Sequence, residues 1–229
     1  MTNNDKSRVL IFNKKLIVEG EQDKRLIPEL MEANGVPWTK GKEPVYIEAY
    51  GSDEFINNKK ISTRLKASEL THLGLIIDAD ENPKDRWQSI RNACLKVEAI
   101  QKSIDNLPEQ MPETGLIINI SNGTEFIKFG VWMMPDNQNR GMLETFLAYM
   151  IKDESDPLWQ YAQEVVTEAK TKGAKFIDEH IDKAYIYSWL AWQKPPGRQL
   201  HNAIQEEILN PQHPKAQIFV KWFKDLYDL

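Results

Sequence analysis

Three carboxylate side chains stand where apolar segments of the sequence end. Glu19 follows the apolar run 16–18, and Asp78 and Asp80 follow the apolar run 73–77. If both runs are strands, Asp78 and Asp80 face the same way, because strand side chains two residues apart share a face. Neighbouring parallel strands lie about 4.8 Å apart, so carboxylates at the ends of two of them can share one cation.

Such a group of carboxylates predicts a divalent metal ion. Carboxylates held this close repel one another, which raises the pKa of at least one of them, and a cation removes that repulsion. Mg²⁺ prefers hard oxygen ligands and keeps water molecules that contact phosphate oxygens, so we predict Mg²⁺, with Mn²⁺ as its substitute. A structural interpretation also fits, in which Glu19-Gly20 is a turn and residues 80–83 only cap a helix. Spacing alone leaves both interpretations open.

The composition is that of a globular protein with a hydrophobic core. Of the 229 residues, 41% are hydrophobic and 28% are charged, and the formal net charge is -5. An acidic chain is not a general nucleic-acid binder, so any such contact needs a local basic patch or a bridging metal. The single cysteine, Cys94, excludes an internal disulfide and a cysteine-rich zinc site. The four histidines form neither an HExxH pair nor an HxH cluster.

The N-terminal residues 1–15 are polar and lack the hydrophobic core of a signal peptide. The longest apolar runs, such as residues 73–77, are too short to cross a bilayer. We therefore expect a cytoplasmic protein that makes no membrane contact.

The elements that must position the carboxylates alternate between strands and helices. Strands are predicted at residues 14–18, 45–49, 72–77, 115–120 and 125–134. Helices are predicted at 22–33, at 57–70, and from Pro83 to about residue 104, with Asn82 as the N-cap of the last. A hairpin turn at Asn122-Gly123 predicts an antiparallel edge. This order indicates an α/β protein with a mostly parallel sheet and covering helices.

From Gly141 onward the sequence is helical almost to its end. The predicted helices span 142–152, 158–170, 177–192, 199–209 and 216–227, and prolines separate them. We expect an α/β core at 1–140 and a helical extension at 141–229 that packs on it as one compact unit. A hinge is expected near residues 153–157.

Two segments resemble the motifs of the Toprim family. Residues 16–23, LIVEGEQD, resemble its first motif, an apolar strand ending in Glu-Gly, and residues 75–80, LIIDAD, its second, an apolar strand ending in Asp-x-Asp. The pair covers roughly the first half of the chain and is moderately specific in this order. The resemblance implies a Rossmann-like domain with a four-stranded parallel sheet and a metal site at Glu19, Asp78 and Asp80. Asp23, one helical turn past Glu19, is expected to cap or orient rather than to ligate.

A finer resemblance extends further along the chain. Residues 134–137, MPDN, and 141–144, GMLE, are similar to an uncharacterised prokaryotic branch of Toprim-like proteins. In that branch, and in the nucleases of the overcoming-lysogenization-defect group, a further glutamate completes the acidic cluster, and Glu144 is the matching position. The segments around Lys183 and at 191–197 resemble the helical part of that branch. This implies that Lys183 neutralises charge on a transferring phosphoryl group.

Structural interpretations of these two residues also stay open. Glu144 fits an acidic residue in the first turn of a helix, where the helix dipole favours it. Lys183 fits a solvated lysine on a helix surface.

Two functions from different classes follow. The first is a stand-alone metal-dependent nuclease or phosphotransferase, in which the four acids hold one or two Mg²⁺ ions. In a one-metal version, Glu19 is instead a candidate general base. The second is a non-catalytic Toprim-like module that binds nucleic acid, a nucleotide or a protein, with a role in a prokaryotic defence system. A protein partner or a homo-oligomer is compatible with both.

A basic segment offers a contact for DNA or RNA phosphates. Its cations are Lys59, Lys60, Arg64 and Lys66, and no acidic residue occurs from 57 to 67. Such a run is also typical of a solvated helix face. Nucleic acid, DNA or RNA, is therefore a predicted partner and not an established one.

Overall fold

The computed structural model describes residues 13–50, 57–67, 69–104, 107–122, 125–152 and 156–229. The strands in these ranges are β1 (Lys14–Val18), β2 (Tyr46–Ala49), β3 (His72–Asp78), β4 (Leu116–Asn122) and β5 (Glu125–Met134). The helices are α1 (Glu21–Glu32), α2 (Asn58–Leu65), α3 (Pro83–Leu95), α4 (Glu98–Ser103), α5 (Leu143–Ala148), α6 (Pro157–Thr171), α7 (Ile181–Leu190), α8 (Leu200–Gln205) and α9 (Pro214–Tyr227). A 3-10 turn, Asp178–His180, precedes α7.

The described strands form one five-stranded sheet in the order β2-β1-β3-β5-β4. The strands β2, β1, β3 and β5 are parallel, and β4 pairs with β5 in the antiparallel direction. The predicted α/β class, the mostly parallel sheet and the antiparallel edge are therefore confirmed. The predicted turn at Asn122-Gly123 extends outside the described residues.

Helices cover both faces of the sheet because its central strands are apolar on both sides. Leu16 and Val18 face a core that includes residues of α1, α5, α8 and α9. Ile17, which lies between them, faces a second core with residues of α2, α3 and α4. This strict alternation follows from the two-residue repeat of a strand. The carboxyl ends of the parallel strands therefore lie between two helical layers.

The single helix predicted from Pro83 to about residue 104 is wrong, because the structure divides it into α3 and α4. The chain turns at Lys96, whose N–H donates to Ala93 O at 3.3 Å. Val97 then takes an extended conformation and is buried in the core of the α3 face. The apolar rhythm continues through this break, so periodicity alone does not reveal it.

The second half of the chain is helical; α5, α7 and α8 are shorter than the sequence indicates, whereas α6 and α9 are slightly longer. The helix predicted at 177–192 begins as the 3-10 turn and continues as α7, and the helix predicted at 199–209 ends at Gln205. The division at residue 140 stays a prediction, and the hinge expected near 153–157 falls mostly outside the described residues. Among the helices that the structure describes, none is long and apolar enough to span a lipid bilayer.

Candidate functional site

The carboxyl ends of β1 and β3 bring two acidic residues to one edge of the sheet. Glu19 directly follows β1, and Asp78 is the last residue of β3. Val18 lies opposite Ile76 in the parallel register, so Glu19 and Asp78 stand at neighbouring strand ends. The negative charge of Glu19 is near enough to raise the pKa of Asp78. This edge is where open α/β sheets bind their ligands.

Asp23 joins these residues from the first turn of α1. The Gly20 N–H donates a hydrogen bond to Asp23 Oδ2 at 3.2 Å. A Cβ atom at residue 20 would lie 2.9 Å from that oxygen, so the glycine of the Glu-Gly motif leaves room for Asp23. Asp23 is only 7% exposed. Burial, together with the nearby Glu144 and Glu19 carboxylates, raises its pKa to about 7.

Among the residues that the structure describes, five carboxyl groups gather at this edge, and we call them the acidic cluster. Its members are Glu19, Asp23, Asp78, Asp80 and Glu144. Burial raises the pKa of Asp78 well above its ordinary value, and the other four carboxylates raise it further. The structure thus brings together the four acids that the sequence predicts as metal ligands, and it adds Asp23 to them.

Glu144 reaches the cluster because the loop after β3 is tied to the loop after β5. Asp80 and Gly141 exchange two backbone hydrogen bonds, of 3.1 and 2.9 Å. The helix α5 begins two residues later, which places Glu144 in its first turn. The Glu144 side chain is buried, and this burial raises its pKa more than the charge of Lys183 lowers it.

Two side-chain contacts join α5 to α7 beside the cluster. In the first, Lys183 Nζ lies 3.9 Å from Glu144 Oε1. In the second, Thr145 Oγ1 donates a hydrogen bond to Asp182 Oδ2 at 2.5 Å. Thr145 Oγ1 also accepts a hydrogen bond from the Met142 N–H at 3.1 Å, which satisfies a free donor at the start of α5. We refer to these as the Glu144–Lys183 contact and the Thr145–Asp182 contact.

Arg86 is the residue of the site that the sequence interpretation missed. It lies in the first turns of α3, and its Nη2 donates to Glu19 Oε1 at 2.5 Å. Its Nε donates to the Asp78 carbonyl oxygen at 3.1 Å and lies 3.6 Å from Asp80 Oδ2. The guanidinium therefore bridges the ends of β1 and β3. The sequence signals this role of Arg86 only by its position, about one turn into the helix that follows the Asp-x-Asp motif.

Arg86 and burial shift the pKa of Glu19 in opposite directions. Burial raises the Glu19 pKa, the charge and hydrogen bond of Arg86 lower it, and the net shift is upward. Burial therefore affects the Glu19 pKa more than the ion pair with Arg86 does.

The donor chemistry of the acidic cluster fits a hard divalent cation, because its side chains offer only carboxylate oxygens. As they stand, however, no three acidic, histidine or cysteine side chains of the described residues are arranged to hold a metal ion. Arg86 holds Glu19 through a 2.5 Å hydrogen bond. An ion bound by Glu19 must therefore use Glu19 Oε2 or compete with Arg86 for Glu19 Oε1.

The predicted phosphate-binding segment lies on and just after α2. Arg64 is engaged there, because both of its terminal nitrogens donate to the Glu48 carboxylate at 2.7 Å and one also donates to Tyr50 Oη. Lys60 Nζ lies 4.8 Å from the centre of the Tyr50 ring, while Lys59 and Lys66 are exposed. The role of Lys59, Lys60, Arg64 and Lys66 in binding nucleic acid stays a prediction.

Comparison with known proteins gives similarity at low sequence identity. The chain is similar to two solved structures of the C-terminal region of the Xanthomonas campestris pv. campestris OLD protein. The platinum-phased structure has a TM-score of 0.47 and 13% identity, over 95% of this chain and 94% of that one. The iodine-phased structure has a TM-score of 0.46 and 15% identity, over 96% of this chain and 98% of that one.

No curated protein sequence matches this chain. A family profile does match, over residues 13–228, and its description reads "Protein of unknown function (DUF3226)". The match spans both the sheet and the helices that follow it. The chain therefore belongs to the DUF3226 family.

Proposed function

We propose that this protein is a Mg²⁺-dependent enzyme that cleaves phosphodiester bonds of nucleic acid. The observation that carries the proposal is the acidic cluster, in which five carboxyl groups meet at the ligand-binding edge of the sheet. Arg86 and Lys183 bring positive charge to this edge, but the carboxylates outnumber these two side chains. The resemblance of residues 16–23 and 75–80 to the Toprim motifs supports the same chemistry.

Glu19, Asp78, Asp80 and Glu144 are the residues proposed to hold Mg²⁺, or Mn²⁺ in its place. The ion would lower the pKa of a bound water molecule and withdraw negative charge from phosphoryl oxygens. Asp23, the fifth member of the cluster, is buried and fixes the start of α1 through its hydrogen bond from Gly20.

The reacting protons and charges are assigned to two side chains. In a one-metal version, Glu19, partly exposed at the strand end, is proposed to accept a proton from the attacking water as general base instead of holding the ion. Lys183 is half-exposed, and its ammonium is proposed to hold a non-bridging phosphoryl oxygen, stabilising the negative charge that develops in the transition state. The exposed Lys59 and Lys66 are proposed to meet more distant phosphates of the strand.

A second function has one specific observation in its favour. Arg86 already neutralises Glu19, and no three potential ligands among the described residues are arranged around an ion. The same fold would then be a binding module for nucleic acid, a nucleotide or a protein, and the carboxylates would have no catalytic role. Cleavage of nucleic acid, measured beside metal affinity, separates the two functions.

The test is calorimetric titration of the full chain with Mn²⁺ and Mg²⁺, beside incubation with labelled single- and double-stranded DNA and RNA. Wild type and Asp78→Ala/Asp80→Ala are compared, with Glu98→Ala/Asp225→Ala as a control that removes two acids elsewhere on the surface. We expect metal binding and cleavage in wild type and control, and neither in the cluster variant.

The other outcomes also distinguish the enzyme from the binding module. Metal binding without cleavage of any of the four polymers favours the binding module. Absence of metal binding by wild type, with and without nucleic acid, contradicts the proposal and makes the acidic cluster structural. Circular dichroism of all three proteins checks that each is folded.

A further inference from the structure

A cavity of about 370 Å³ opens beside the acidic cluster, among residues of α5, α6, α7 and the start of α9. Three aromatic side chains line it, those of Tyr149, Trp159 and Tyr185. The Trp159 and Tyr185 rings meet edge to face, with 6.3 Å between their centres and 83° between their planes. All three residues are partly exposed. Cavities of this size are typical of small-molecule and cofactor sites.

The polar groups of the cavity suit a planar, hydrogen-bonding ligand. Thr145, Gln163 and Asp182 contribute a hydroxyl, an amide and a carboxylate to its lining. Lys215 also lines it and brings a positive charge, with Nζ 3.7 Å from the centre of the Tyr149 ring. Aromatic faces, hydrogen-bonding groups and one cation together match a nucleotide, which has an aromatic base and a negatively charged phosphate.

The cavity and the acidic cluster lie on adjacent sides of the same helix pair. Glu144 and Thr145 are consecutive in α5, and Asp182 and Lys183 are consecutive in α7. The Glu144–Lys183 contact belongs to the acidic cluster, whereas Thr145 and Asp182 line the cavity. Consecutive helical residues point about 100° apart. The Glu144–Lys183 contact and the Thr145–Asp182 contact therefore lie on adjoining sides of the α5–α7 pair, one toward the cluster and the other toward the cavity.

We propose that this cavity binds one unpaired nucleobase of a single-stranded nucleic acid, next to the phosphate that lies at the acidic cluster. The inference rests on the proposed function, because that function places the phosphate at Lys183. A base stacks on aromatic faces through its own π-face, which requires no particular sequence. A base inside a duplex cannot enter the cavity without leaving its stack, so single strands are the favoured ligands.

The experiment measures binding of fluorescein-labelled DNA and RNA oligonucleotides by anisotropy, in EDTA and again in Ca²⁺. The variant is Tyr185→Leu, which keeps apolar volume and removes the ring. The matched control is Tyr161→Leu, which removes an exposed ring of α6 that packs on Trp192 outside the cavity. Stacking contributes about 1–3 kcal/mol per base, so Tyr185→Leu is expected to weaken single-strand binding at least about fivefold.

A series of oligonucleotides with one abasic position each makes the test specific to a base. Wild type is expected to lose affinity most at one position of the oligonucleotide. For Tyr185→Leu, the abasic change at that position is expected to have no further effect, because the missing base and the missing ring belong to one contact. DNA and RNA strands are both expected to bind, and duplexes are expected to bind equally to wild type and variant.

Three results would overturn the inference. They are equal single-strand affinity of wild type and folded Tyr185→Leu, equal weakening by Tyr161→Leu, and binding of free nucleoside monophosphates without binding of oligonucleotides. Because no cleavage is measured, these results are independent of catalysis. If Asp78→Ala/Asp80→Ala loses metal binding but keeps base-dependent binding, the inference is supported. If wild type cleaves nucleic acid in the test of the proposed function but shows no base-dependent binding, the inference is contradicted and the proposed function stands.

Discussion

Arg86 places a positive charge where the proposed function needs a metal ion. Its guanidinium contacts Glu19, the Asp78 carbonyl oxygen and Asp80, so it shares at least two partners with the proposed ion. The Arg86 side chain is about one-fifth exposed, which screens the pair only in part. A metal ion at Glu19 therefore lies close to the positive charge of Arg86, and at Glu19 Oε1 it competes with a charge-assisted hydrogen bond.

Replacement of Arg86 by glutamine is expected to tighten Mn²⁺ binding and to destabilise the metal-free protein. Glutamine still donates hydrogen bonds but carries no charge, so the ion no longer competes with a cation for Glu19. We expect a gain of about tenfold in affinity, equivalent to about 1.4 kcal/mol. Calorimetry gives the affinity, and thermal unfolding in EDTA gives the stability.

Arg91→Gln provides the matched control for this measurement. Arg91 lies on the same helix, but its Nε donates to the Leu107 carbonyl oxygen, away from the acidic cluster. Unchanged or weaker Mn²⁺ binding by Arg86→Gln, with Arg91→Gln equal to wild type, would mean that Arg86 supports the ion instead of competing with it.

At the scale of residues, the sequence predicts which side chains could bind a metal ion better than it predicts what those side chains contact. Glu19, Asp78 and Asp80 could be identified because strand ends and alternation place them together. Arg86 could not, because its role depends on a long side chain reaching across the loop between β3 and α3. The effect of Glu144 on the Asp23 pKa was equally hidden, since the two residues lie more than a hundred positions apart in the sequence.

At the scale of elements, α5 owes its position to α7. The short helix α5 has six residues, too few to be stable alone, so its contacts with the rest of the protein must fix it. Thr145 Oγ1 makes two of these contacts, one to the Met142 N–H and one to Asp182. The orientation of Glu144, its neighbour in sequence, depends on the same helix turn.

Thr145→Val is expected to lower the free energy of unfolding by about 1–3 kcal/mol, because valine has the shape of threonine but leaves both polar partners unsatisfied. Thr145→Ser keeps the hydroxyl and is expected to stay within about 1 kcal/mol of wild type. Urea unfolding measures both. If Thr145→Val and Thr145→Ser are equally stable, the Thr145–Asp182 contact does not stabilise the protein.

The success of the sequence interpretation also varies with the element. The parallel strands were predictable because β1 and β3 are short apolar runs that end in polar residues, and Asn82-Pro83 marks the start of α3. The break between α3 and α4 was not, because Val97 is buried and keeps the apolar rhythm of a continuous helix. The contact between α5 and α7 was also hidden, since nothing in the local sequence specifies which helices will pack together.

At the scale of the whole molecule, folding brings together negative charges that are far apart in the unfolded chain. Burial is the main reason that the pKa of Asp23 rises from 3.8 to about 7. Between these two values the folded state holds a proton that the unfolded state has lost. The unfolding free energy must therefore fall as pH rises from about 4 to about 7, at up to about 1.4 kcal/mol per pH unit.

Asp23→Asn is expected to remove the part of this pH dependence that comes from Asp23, while keeping an oxygen that can accept the Gly20 N–H. Glu19, Asp78 and Glu144, whose pKa values are also raised, keep their own contributions. The variant should match wild type near pH 4 and exceed it at pH 8 by up to about 4 kcal/mol, measured by urea unfolding in EDTA. Asp228 provides a contrast, because hydrogen bonds from Lys128 and His72 lower its pKa to about 2. Asp228→Asn should therefore lower stability at neutral pH and match wild type only below pH 2. Equal pH profiles for wild type and Asp23→Asn would mean that the folded protein holds Asp23 ionised at little cost, which is expected only if another cation already neutralises the acidic cluster.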